Sequence, residues 1–172
     1  MTRSLFASTL FALALAGGAC DVINGPSELE RQIAAEQEVI KAYSADVDKV
    51  DALQRAFVES WKKANEKKDL KVYKDDLAAN VLPALDAYVK AAGAMPTRSP
   101  ELDSIHKPLV AAYQAAQAEL VRFSGAVTED NVDAEYAKVL AAMDEVKKAE
   151  GVYLDKLKTY YAKNRVELRQ AP

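Results

Sequence analysis

At 172 residues, with 23 basic and 26 acidic side chains, the chain is slightly acidic and of single-domain size. That balance excludes nucleic acid as a main partner, because nucleic-acid recognition asks for a clearly basic domain. A lone cysteine excludes an internal disulfide, and a lone histidine leaves few ways to build a metal centre.

The first predicted element is a leader. Arg3 is the only charge in the first nineteen residues, and Leu5 to Ala16 is an unbroken run of apolar and small hydroxyl residues. Such a run, about twelve residues, falls short of the roughly twenty that span a bilayer as a helix. A positive start, a short apolar middle and a small-residue end make residues 1–19 a secretory signal peptide. Removing it takes Arg3 away and leaves 22 basic residues against 26 acidic ones.

The leader ends in Leu15-Ala16-Gly17-Gly18-Ala19-Cys20. This stretch resembles the lipobox of bacterial lipoproteins, with Gly17 standing where that class usually has Leu, Val or Ile. The resemblance implies that the Cys20 thiol receives a diacylglyceryl group and that Cys20 becomes the new N-terminus. It also implies a membrane anchor in the bacterial cell envelope, at the inner or the outer membrane. Ordinary cleavage is the alternative: Ala12-Leu13-Ala14 and Ala14-Leu15-Ala16 both fit the small-x-small rule. It would release a secreted or periplasmic protein with a free thiol. Economy of cysteine favours lipidation, since an odd thiol in an oxidising compartment invites unwanted pairing. Two or more acyl chains, at ~0.8 kcal/mol per buried methylene, hold firmly where one chain does not.

Residues 20–26 read as the lipidated cysteine and a turn-rich tether, about 20 Å long at full stretch. Residues 27–172 read as one helical domain. Ser27 caps its first helix, with Glu30 three residues on completing a capping box. From there to about Lys68 the chain has neither proline nor glycine. Leu29, Ile33, Ile40, Tyr43, Val47, Val50, Phe57, Trp61 and Ala64 fill nine of eleven successive heptad core positions, and Glu36 and Gln54 take the other two. The pattern predicts an amphipathic helix about forty residues long.

Two shorter helices follow. One runs from about Asp69 to Ala92, with Leu70, Tyr73, Leu77, Val81, Leu85 and Tyr88 on one face and Gly93 at its end. The other opens with Ser99 as cap and Pro100 at the first helical position, buries a stripe from Leu102 to Phe123, and closes at Gly125. Pro83 and Pro108 lie inside them, where a proline removes one hydrogen bond and kinks a helix. In a hairpin turning at 93–98 the two kinks would fall at one height. A second long helix ends the chain, capped by Thr128, with Val132, Tyr136, Val139, Met143, Val146, Tyr153, Leu157 and Tyr160 in its stripe and Glu150 interrupting it. Gly151 is a weak point inside it.

The expected fold is all-α: an antiparallel up-down-up-down four-helix bundle with long first and last helices and a shorter, proline-kinked inner hairpin. If the inner pair cannot cover the outer pair, residues 27–45 and 152–170 overhang by roughly 25 Å as a two-helix stalk at the anchored end. Tyr43, Tyr153, Tyr160 and Tyr161 would line that stalk's seam or its exposed side and are the candidate partner-binding residues. Glu36 should come near Asn164 and Arg165 and fix the register.

Chemistry-bearing patterns are sparse. Asp103 precedes His106 by three positions, but the ferritin-like bundle pattern needs two Glu-x-x-His copies. No metal, catalytic or cofactor site is expected, and His106 reads as a partly exposed helix residue. The six lysines between Lys62 and Lys74 are interrupted by acidic residues and read as a solvated, self-compensating tip. Trp61 beside them reads as core. The expected function is non-enzymatic: a lipid-anchored envelope protein that binds another envelope protein, associates with itself or acts as a spacer. The alternative is a binding protein for a small apolar ligand in the bundle interior near Pro83 and Pro108.

Overall fold

The structure is a computed structural model that describes residues 25–167. The leader and Cys20 therefore lie outside the described residues. Among the described residues every regular element is helical: α1 (Glu28–Ala64), α2 (Leu70–Asp76), a π-helical turn (Leu77–Val81), α3 (Leu82–Ala94), α4 (Pro100–Ala126) and α5 (Val132–Lys163). The segment from α2 to α3 is continuous, so the chain forms four rods in a bundle-like fold. None of these helices is long and apolar enough to cross a membrane.

Local chemistry sets most of the boundaries. The capping box at Ser27 is complete: the Glu30 amide donates to the Ser27 hydroxyl, and the Ser27 amide donates to the Glu30 carboxylate. Asp69 caps α2 through the Val72 amide, and Ser99 caps α4 through the Leu102 amide. The π turn lies just upstream of Pro83. A proline nitrogen cannot donate to the carbonyl four residues back, and here the Leu82 amide reaches five back, to Leu77. The turn thus widens to pass the proline, and its apolar phase is kept: Leu77, Val81 and Leu85 are all fully buried.

Two boundaries differ from expectation. Thr128 is not the cap of α5. Asn131 holds residues 128–131 in a turn by accepting from the Thr128 amide and donating to the Ala126 carbonyl, and α5 starts at Val132. At the other end α5 stops at Lys163 rather than near residue 170. Arg165 adopts a left-handed conformation, φ 57°, its amide bonding to the Ala162 carbonyl and the Val166 amide to the Tyr161 carbonyl. This is a Schellman stop, made without the glycine that usually announces it. Val166 completes it by packing onto the core.

The interior has two clusters. The larger holds Phe57, Leu77, Leu85, Leu120, Phe123 and Val139, with Trp61 packed against its side. Ring edges knit it: Tyr73, Phe123 and Tyr136 meet pairwise at 6.0–6.3 Å, and Tyr88 meets Tyr113 at 4.6 Å. Each fully buried Leu or Phe of this set contributes about 1.5–3 kcal/mol relative to exposure. The smaller cluster gathers Ile40, Tyr43, Leu102, Ile105, Leu157, Tyr160 and Tyr161. Contacts between α1 and α5 run in opposite numerical order, Asn65 to Tyr136, Gln54 to Glu150, Tyr43 to Tyr153 and Gln37 to Asn164.

The expected height match of the two prolines is corrected here. Asp86 sits beside Gln117 and Gly93 beside Val110, which puts Pro83 level with about residue 120 rather than with Pro108. The reason is the connection. Met95 and Ser99 are extended, so residues 95–99 carry the chain past the end of α3 before α4 turns back. The first two turns of α4 therefore lie beyond α3 and pack on α1 and α5 through Leu102 and Ile105.

The same excursion removes the two-helix stalk. Ser99 reaches Tyr160, Glu101 pairs with Lys163 at 2.8 Å, and Arg98 pairs with Asp46 at 2.6 Å. The start of α4 thus covers the end of α5 almost to its last turn. Among the described residues only the first turns of α1, residues 28–35, project beyond the other rods; Leu29 there is 61% exposed.

Candidate functional site

The four tyrosines expected to face a partner are brought together, but inside the chain. Tyr43, Tyr160 and Tyr161 are almost wholly buried, and Tyr153 is half-buried. Heptad positions on α1 and α5 aim them inward, and α4 closes over them. Among the described residues an apolar strip along 29–43 and 153–167 is accordingly not continuous: its exposed large members are Leu29 and Leu154.

At the centre of this group stands His106, which is 6% exposed, a correction to its expected half-open position. Its burial follows from the overrun of α4. The imidazole Nε2 lies 2.8 Å from the Ala92 carbonyl in the last turn of α3, and Nδ1 lies 3.0 Å from the Tyr43 hydroxyl. A carbonyl only accepts, so Nε2 carries the proton, and in the neutral ring Nδ1 accepts from Tyr43. The Tyr43 oxygen then accepts from the Tyr153 hydroxyl at 3.0 Å. The Tyr43 ring meets the imidazole edge-on at 5.9 Å.

Two further links run toward the start of α1. Ser44 donates to the Ile40 carbonyl at 2.8 Å and so accepts from the Tyr161 hydroxyl at 2.9 Å. Tyr160 donates to Glu36 and accepts from Ser99. Glu36, a polar exception in the first heptad, thus meets Tyr160, one turn before Asn164. Its neighbour Gln37 reaches the Asn164 carbonyl at 3.0 Å.

A separate polar triad lies one level up. Gln54 donates to the Tyr113 hydroxyl at 2.7 Å and to Glu150 at 2.9 Å, and Tyr113 donates to the same carboxylate oxygen. The other two interruptions of the apolar stripes, Gln54 and Glu150, are therefore partners of each other. At the far end Asn65 Oδ1 accepts from both Tyr73 and Tyr136, pinning three rods.

Burial sets the electrostatics. It pushes the Tyr153 phenol up to about 12. Burial and then Glu36 push Tyr160 up to about 12. Tyr43, Tyr88, Tyr113 and Tyr161 are raised further, by burial first, so all stay protonated donors at neutral pH. Burial likewise raises the Glu150 carboxyl, against the hydrogen bonds from Tyr113 and Gln54. The arrangement can hold neighbouring rods in register. It leaves His106 no spare lone pair for a metal, and among the described residues no three His, Cys, Asp or Glu side chains gather for one.

The chain matches no known protein family, and neither the curated proteins nor the solved structures offer a similar relative.

The lysine-rich tip is partly self-compensated. Lys71 pairs with Asp75 at 2.7 Å, and Lys74 donates to the Val127 carbonyl at 3.2 Å. Sequence reasoning missed His106 as a structural hub. The spacing of one histidine on one helix carries no sign of a carbonyl fourteen residues back on another.

Proposed function

We propose that the chain is a non-enzymatic, lipid-anchored protein of the bacterial envelope, folded as an antiparallel up-down-up-down bundle. It acts as a short rigid spacer or holds another envelope protein against its anchored end. The observation that carries this reading is the projection of α1. Residues 28–35 stand clear of the other rods, begin at a complete capping box, and follow Cys20 by only a short tether. Leu29 is left in water on that projection, and a partner's apolar residue could cover it. The buried tyrosines, His106 and Glu150 support the same reading from inside, since each is already bonded to another part of the chain.

Membrane fractionation of the full chain beside Cys20→Ser tests the anchor. The wild type is expected in the membrane fraction and the variant in the soluble one; identical fractionation contradicts lipidation. Cross-linking from residues 28–35 tests the partner face. A discrete adduct lost in Leu29→Asp is expected, and an adduct indifferent to that change places the contact elsewhere.

A further inference from the structure

Between α4 and α5 runs a half-open groove of about 290 Å3. It exists because small or truncated side chains meet there. Pro108 and, one turn on, Ala112 face Ala149 across the helix pair, and the Tyr153 ring forms part of the wall. Val152 stands in the same groove and is 52% exposed, a large apolar side chain left in water. The charges on its rim are unequal. Lys148 is neutralised by Glu145 at 2.6 Å. Lys156, one turn beyond Val152, lines the groove and has no carboxylate partner among the described residues.

We propose that this groove binds a single-chain anionic amphiphile. Its hydrocarbon lies along Pro108, Ala112 and Val152, and its acid head sits on the Lys156 ammonium. Three observations select that chemistry. The apolar wall asks for hydrocarbon. The volume is at the bottom of the range of small-molecule sites, which admits one chain and not two. The uncompensated cation at one end asks for an anionic head there. This site involves Pro108 alone; Pro83 lies elsewhere along the bundle. It is independent of lipidation at Cys20.

The test uses the full chain carrying Cys20→Ser, which keeps detergent out of the assay. Sodium decanoate, decyl phosphate and decanol are titrated below their aggregation limits and followed by amide chemical shifts. Saturable shifts confined to residues 105–112 and 148–156 are expected with both acids. Lys156→Glu should weaken decanoate roughly tenfold while decanol changes less than about twofold. Val152→Asp should weaken all three. Both positions are exposed, and a thermal melt checks that each variant folds. A stronger effect with decanoate than with decyl phosphate would identify a carboxylate head, and the reverse a phosphate head, either supporting the site. Shifts scattered over the molecule, or decanoate binding that Lys156→Glu leaves unchanged, would overturn it.

Discussion

Around Phe123 the interior is hydrocarbon and ring edges, with Leu77, Leu120 and Val139 buried beside it and tyrosine hydroxyls reaching out to Asn65. Around Tyr43 the interior is as dry but tied by hydroxyls: Tyr43, Tyr153, His106, Ser44, Tyr161, Tyr160 and Ser99 bond to one another or to backbone carbonyls. The first region packs all four rods closely and gains from area. The second must hold the ends of rods with unequal lengths, and directional bonds fix which residue of α5 faces which residue of α1. Burial without bonding would leave those hydroxyls as a net cost. The same residue type, tyrosine, therefore serves packing at one end and registration at the other.

Truncation in the apolar region should have the largest effect. Phe123→Ala removes a fully buried ring that touches Tyr73 and Tyr136, and should cost about 3–5 kcal/mol in chemical denaturation. Tyr43→Phe in the other region changes almost no volume, yet it strands His106 Nδ1 and the Tyr153 hydroxyl. A loss of about 1–3 kcal/mol is expected. Combining it with Tyr153→Phe should cost less than the two separate losses together, because the two share one bond. A loss near zero for Tyr43→Phe would mean that the hydroxyls do not hold this end.

A smaller and opposite effect is expected at the stop of α5. Arg165 adopts φ 57°, a conformation that costs a side-chain-bearing residue roughly 1 kcal/mol or more. Arg165→Gly should raise stability by about that amount if the helix truly ends there, and lower it if the helix runs on.

Glu150 should give the smallest change, seen best against pH. Its carboxyl is raised by burial, so the native state keeps this proton to higher pH than the unfolded chain does. Stability from this group is therefore greatest in mild acid and falls as pH rises from the ordinary carboxylate value through the raised one. Contact with solvent keeps the effect small. Glu150→Gln retains an oxygen for Tyr113 and Gln54, so it should match the wild type at neutral pH to within about 1 kcal/mol. Its melting temperature should also lack the upward step on mild acidification.

Much of the architecture is legible in the residues. Period and caps gave four rods, and Ser27, Asp69 and Ser99 mark starts that the structure keeps. Glu36, Gln54 and Glu150 stand out as interruptions of apolar stripes, and all three prove to be hydrogen-bonded across the interior. What was not legible is the path of residues 95–99. A five-residue connection is read as a tight turn, and nothing local says that it carries the chain past the end of a helix before Arg98, at φ 63°, turns it. From that one displacement follow the offset of Pro83 from Pro108, the burial of His106 and the covering of α5. The stop at Lys163 was hidden for a different reason: its left-handed residue is Arg165, where the usual signal is glycine.

The central claim is that the end of α5 is enclosed by α4 and tied to α1 while the start of α1 projects alone. Residue-resolved amide hydrogen exchange tests it directly. The account predicts protection across residues 153–161 approaching that of residues 139–146, with residues 28–35 exchanging orders of magnitude faster. Exchange of 153–161 as fast as that of 28–35 would contradict it, because the last turns of α5 would then be as open as the first turns of α1.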